Sequence, residues 1–223
     1  MKKDVIKKAF QLTFPVMMGY IFVAIAFAVL MKEKGLSPLY SLLLSIFVYA
    51  GAMQFAAVEL LSSGAGILSA AIMTLMVNIR HIFYGLSLIE PYKKMKKEKY
   101  YFIHSLSDET YSILCTQDKN DRPLLLLIGL FNQLYWIAGT LIGSWLSEYL
   151  FFDTTGIDFA MNALFLVIFV EQWQSVEHHF PAILGIVLSL VCLVVFGQNQ
   201  MVIMSMILIL ASLLAYRKLK GVN

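Results

Sequence analysis

The sequence predicts an all-α, polytopic membrane protein with about six to eight membrane segments, some broken or re-entrant, and both termini cytoplasmic. Three observations predict it. The 223 residues are 60% hydrophobic and only 14% charged, with mean hydropathy +0.77, where a soluble domain is about half apolar and a quarter charged. Several apolar stretches approach the ~20 residues that a helix needs to cross a bilayer. The basic residues stand in short runs beside those stretches, as topology signals do, so the net charge of +3 points to no nucleic-acid partner. The whole of 1–223 reads as one integral membrane domain.

The first helix is expected over residues 10–31. The N-terminus carries Lys2, Lys3, Lys7 and Lys8 and mimics a secretory signal, and Ala24-Ile-Ala26 imitates a cleavage site. The apolar run nevertheless continues through Met31 with no polar region before that site, so the helix reads as uncleaved. Pro15 removes a backbone bond to Gln11, and Gly19 follows one turn later. Such a break is either a harmless kink or a functional one.

The next apolar run, 39–61, is interrupted at Gly51-Ala-Met-Gln-Phe55, and Ser62-Ser-Gly-Ala-Gly66 turns the chain into a long segment over 67–88. That segment carries Met76-Val-Asn-Ile-Arg-His-Ile-Phe-Tyr84, around which the reading is organised. On one continuous helix Thr74, Asn78, His81 and Gly85 form a stripe, with Arg80 and Tyr84 beside it. An arginine at the centre of a membrane helix costs about 2.5–3.5 kcal/mol on translocon scales. It therefore turns toward protein or a wet cavity and has a partner.

The most basic run, Lys93-Lys-Met-Lys-Lys-Glu-Lys99, is expected on the same side as the N-terminus, which demands an even number of crossings between them. Three apolar segments lie there. Either the region of Gly51 to Gln54 forms a re-entrant hairpin or broken helix, or all three cross and the charge bias is violated. Residues 100–117 read as one amphipathic helix. His104, Asp108, Tyr111 and Cys115 share one stripe, and Ser105, Glu109, Ser112 and Thr116 share the next. Its polar face holds two carboxylates and no Lys or Arg, so it either lies flat on the surface or inserts its acids beside Arg80.

A full-length span follows over 124–146, with Asn132, Trp136, Gly139 and Gly143 on one face and a G-x-x-x-G spacing for close helix approach. Residues 147–158 hold Glu148, Asp153 and Asp158 without a cation, as expected outside. Segments at 159–170, 181–196 and 201–216 then bring Arg217, Lys218 and Lys220 inside.

The candidate substrate-binding or ion-coupling residues are Gln54, Asn78, Arg80, His81, Asp108, Glu109 and Tyr111, with helix breaks at Pro15, Gly19 and Gly51. Free N–H groups of a discontinuous helix suit a carboxylate, an arginine adds a clamp, and Asp108 or Glu109 suits an ammonium or a coupling proton. The same acids equally suit structural compensation of Arg80. His104 and Asp108 have the spacing of two metal ligands, but a third is missing and His178-His179 follows a different helix, so no metal site is expected. No nucleotide-binding loop or nucleophile elbow is present, and no cofactor is expected. Cys115 and Cys192 read as two unpaired thiols.

These residues resemble the AzlC-type branched-chain amino acid permeases, the large subunit of a two-component bacterial exporter. The matching positions are Pro15 and Gly19, Gly51-Ala-Met-Gln-Phe55, Asn78-Ile-Arg-His81 with Tyr84 and Ser87, Ser107-Asp-Glu-Thr-Tyr111, and Gly156-Ile-Asp-Phe-Ala160 with Phe165. The resemblance implies a multi-pass carrier of the bacterial inner membrane that exports leucine, isoleucine, valine or analogues together with a small AzlD-type membrane subunit. Proton coupling is the expected drive. Two other readings stand beside it: a membrane-embedded enzyme using His81, His104 and Asp108, and a partner-dependent subunit that does not itself transport.

Overall fold

The computed structural model describes residues 3–149 and 178–219, with 159, 166, 169, 170, 173 and 174 between them. The described residues form helices and connecting turns, without a strand. Backbone contacts divide the chain into two compact units, 1–168 and 169–223. The expected short segment at 159–170, the acidic loop at 147–158 beyond Tyr149, and the Gly156-to-Ala160 motif with Phe165 lie wholly or mostly outside the described residues.

The first unit is built on two long apolar helices, α1 (Lys3–Glu33) and α9 (Arg122–Tyr149), both long enough to cross a membrane. They pack along each other, and the contact is made at backbone level by glycine. A Cβ on Gly139 would stand 2.8 Å from the carbonyl oxygen of Ile21, and one on Gly143 would stand 2.7 Å from that of Ile25. The spacing thus lets backbones approach where any side chain would wedge them apart. α1 begins earlier and ends later than expected, and Pro15 lies inside it without ending it. Tyr20, Val23 and Ala24 of α1 close a cluster with Trp136 of α9 and with Tyr49.

Between these two helices the chain is a series of short pieces. Pro38–Leu43 (α2) runs into a π-helical turn, Leu44–Val48, and then breaks. Tyr49 is left-handed (φ 41°), Ala50 is extended, and α3 (Gly51–Ser62) starts afresh. The break expected around Gly51 to Gln54 therefore falls at Tyr49–Ala50, with Gly51 the first residue of the new helix. Gly64 (φ 66°) then supplies the turn into α4 (Ile67–Asn78).

The segment 67–88 is not one helix. It bends by 47° at Ile79 between α4 and α5 (Arg80–Ser87). The cause is local: His81 Nδ1 lies 3.2 Å from the Asn78 carbonyl, and the Ile82 N–H turns to Ile79 instead. A side chain inserted into the i→i−4 ladder bends a helix in this way. The expected stripe of Thr74, Asn78, His81 and Gly85 is interrupted at its middle.

After α6 (Ile89–Lys94), residues 100–117 also differ from the expected single helix. They split into α7 (Glu98–His104) and α8 (Asp108–Cys115). Ser107 is extended and caps α8, its Oγ accepting the N–H of Thr110. A serine followed by two acids is a helix start, and here that signal outweighs the amphipathic period. His104 and Asp108 thus belong to different helices and share no stripe. In the second unit α10 (Phe180–Phe196) and α11 (Gln198–Leu219) form a helical pair.

Candidate functional site

Three chain breaks, at Tyr49–Ala50, at Ile79 and at 105–107, come together between α1 and α9. They line a small cavity with Tyr20, Tyr49, Ala50, Gly51, Ala52, His81, Ser107, Asp108, Glu109 and Trp136. It offers about 20 Å³ to the centres of water molecules, which is room for about one water.

Asp108 is the partner of Arg80. Nη2 of Arg80 donates to Oδ2 at 2.9 Å, and Nε lies 2.9 Å from Oδ1. Tyr84 donates to the same Oδ1 at 2.6 Å. The tyrosine ring stacks on Tyr111, with centroids 4.4 Å apart, and Ser87 donates to the Tyr111 hydroxyl at 3.0 Å. These contacts join α5 to α8. They matter because α4 and α5 bury no residue of their own.

Glu109 is placed differently. It is buried at 7% exposure, and its carboxylate accepts a short hydrogen bond from the Tyr20 hydroxyl, which also reaches Ser107 Oγ. No ion pair to Glu109 occurs among the described residues. The adjacent acids therefore divide: one is matched by a guanidinium, the other meets neutral donors, the Tyr20 hydroxyl first among them, and no cation among the described residues. Ser107 Oγ passes the network on to Thr110, whose Oγ1 accepts from Asn132 on α9 at 2.9 Å.

Of the residues expected at a site, Arg80, His81, Asp108, Glu109 and the α3 start at Gly51 are brought together. Asn78 contributes its carbonyl to His81, and Tyr111 serves as the platform for Tyr84. Gln54 is turned elsewhere: its Nε2 donates to Ser45, which bonds Thr140 of α9. Pro15 and Gly19 do not line the cavity. His104 satisfies backbone freed by the first break, with Nε2 2.9 Å from the Ile46 carbonyl, to which Gln133 also donates. The trio His81, His104 and Asp108 does not converge, and the described residues hold no group of three metal-ligating side chains.

Tyr20, Tyr49, Ser107 and Trp136 were not expected at the site. Ser107 carried a readable signal, the cap before two acids. Trp136 carried part of one, since it shares a face with Asn132, Gly139 and Gly143; Tyr20 and Tyr49 carried none, being ordinary members of apolar runs.

The family model described as "AzlC protein" matches residues 15–150. A branched-chain amino acid transport protein, AzlC, of Bacillus subtilis is 39% identical over 95% of this chain and 85% of its own length. The chain belongs to the AzlC family. An uncharacterised membrane protein of Helicobacter pylori is 36% identical over 95% of both chains. The inner membrane protein YgaZ of Escherichia coli is 29% identical over 72% of this chain and 70% of its own. No solved structure matches. The matched AzlC region contains all three breaks and every residue lining the cavity.

Proposed function

We propose that this chain is the large subunit of a secondary exporter of branched-chain amino acids, driven by the proton gradient and assembled with a small AzlD-type membrane subunit. The amino acid class is taken from the name of the Bacillus subtilis relative. The observation that carries the mechanism is Glu109, a buried carboxylate facing hydroxyl groups in a cavity beside an acid that Arg80 already neutralises. A carboxylate buried without a cation is costly. Glu109 therefore accepts either the ammonium of a substrate or a proton, and the two compete for one group. The empty carrier returns with Glu109 protonated, and the loaded carrier moves with the ammonium in place. One amino acid leaves as one proton enters.

The cavity is far below the several hundred Å³ of a ligand pocket, so this conformation is closed and loading requires it to widen. The α4–α5 limb is suited to that movement, because no residue within either helix is buried and its apolar anchorage is confined to its end, where Tyr84 and Leu88 meet the core. Both termini are read as cytoplasmic from Lys2, Lys3, Lys7 and Lys8 at one end and Arg217, Lys218 and Lys220 at the other, in the inner membrane of a bacterial cell.

The test is leucine or valine efflux from preloaded vesicles containing the chain with its companion, with and without a proton gradient. Efflux that rises with an inward gradient is the expected result. Vesicles that keep their leucine irrespective of the gradient would refute the function.

A further inference from the structure

We propose that the carboxylate of the substrate binds at the N-terminus of α3, held by the first amides of that helix and by the indole N–H of Trp136. The inference rests on the reading of Glu109 as the ammonium acceptor, and it assigns the opposite end of the same ligand.

Two independent observations point there. α3 is a twelve-residue helix that begins at Gly51 with no side-chain cap, after an alanine that has no group with which to supply one. The amides of a first helical turn have no partner inside the helix and carry the positive end of its dipole. Ala50, Gly51 and Ala52 line the cavity. Trp136 lines it from α9, is 2% exposed, and its Nε1 has no hydrogen-bond partner among the described residues. A buried indole N–H is ordinarily satisfied. An orphan donor beside an uncapped helix start, in space the size of one water, marks a place for an acceptor oxygen.

Arg80 was the obvious clamp for a carboxylate, yet its guanidinium is engaged with Asp108. The α3 amides and the Trp136 indole that face the cavity are neutral donors. A site built of neutral donors opposite one carboxylate matches a zwitterion, whose own charges then balance inside it. The ligand class is a free α-amino acid. Amides and esters of amino acids lack the anionic end, and simple carboxylic acids lack the cationic one.

The experiment measures binding of leucine, leucinamide and 4-methylpentanoate to the purified chain with its companion subunit by titration calorimetry. Leucine is expected to bind at least tenfold tighter than either analogue, the factor that a lost charge-assisted hydrogen bond carries. Two variants remove donors while keeping the fold. Trp136→Phe deletes the indole N–H, and Gly51→Pro deletes the first amide at the helix position that tolerates proline best, after a residue already extended. In Trp136→Phe and Gly51→Pro the preference for leucine over leucinamide is expected to collapse toward unity, while Leu141→Ala, on the exposed side of α9, retains it. A preference that survives both donor deletions, parent protein that binds leucinamide as tightly as leucine, or parent protein that binds no leucine overturns the assignment. A complex that shows the preference yet moves no leucine in vesicles refutes the transport function alone.

Discussion

Removing Arg80 leaves Asp108 partly buried without its cation, with Tyr84 as its remaining side-chain partner among the described residues. The side chains of the pair are 28% and 18% exposed. Breaking a fully buried pair costs about 3–5 kcal/mol, and an exposed pair contributes about 0–1 kcal/mol. Burial of this degree places Arg80→Ala at about 2–3 kcal/mol, and Asp108→Asn, which strands the guanidinium, at a similar figure. The double variant leaves no lone charge and keeps an acceptor for Tyr84, so it should cost only about 1 kcal/mol. In a thermal melt of the detergent-purified protein, each single variant should unfold about 5–10 °C early and the double about 2–4 °C early. Transport should be lost in all three. A double variant as unstable as either single would show that the two charges do not compensate each other, and the latch between α5 and α8 would have to be abandoned.

Glu109→Gln should abolish leucine efflux at every proton gradient, because the group that holds the ammonium is lost, while leaving the melting temperature near that of the parent; efflux that still follows the gradient would move the coupling elsewhere. Gly143→Ala places a methyl 2.7 Å from the Ile25 carbonyl and should destabilise by about 1–3 kcal/mol, whereas Leu141→Ala on the exposed side of the same helix should change the melt little. Ser107→Ala removes the cap of α8 and one partner of Tyr20, with an expected loss of about 1 kcal/mol in the same melt. Burial pushes the Tyr92 phenol, packed edge-on against Phe102, up to about 12. Its folded value lies above the unfolded value near 10, so its contribution is complete below about pH 10 and is lost as pH rises toward 12. Tyr92→Phe should flatten that part of the alkaline melting profile.

The helical class and the two long spans were legible because length and apolar content are properties of the chain itself. The glycine pair of α9 was legible for the same reason, since its spacing fixes a face. The partner of Arg80 was half legible: the cost of an unpaired guanidinium demanded an acid, and only two adjacent acids were on offer. Choosing between them required the break at 105–107, which turns Asp108 toward Arg80 and Glu109 toward Tyr20. That break was hidden by periodicity, because the run from His104 to Cys115 satisfies a helical stripe whether or not the helix is continuous. The bend at Ile79 was hidden likewise, because it depends on one imidazole finding one carbonyl. Tyr20 and Tyr49 were illegible, since tertiary packing alone distinguishes an aromatic in a cavity wall from one facing lipid.

The glycine contact of α1 with α9 means that the two walls of the cavity differ in stiffness. Tyr20 and Trp136 are mounted on a pair of backbones with no slack between them, whereas Arg80 and His81 ride on a limb fastened by a few polar contacts and, at its end, by Tyr84 and Leu88 against the core. Substrate entry then need disturb only that edge of the core. Separating one guanidinium from one carboxylate and unstacking two phenol rings would swing the limb, and the fixed wall would keep the geometry of recognition constant from one side of the membrane to the other.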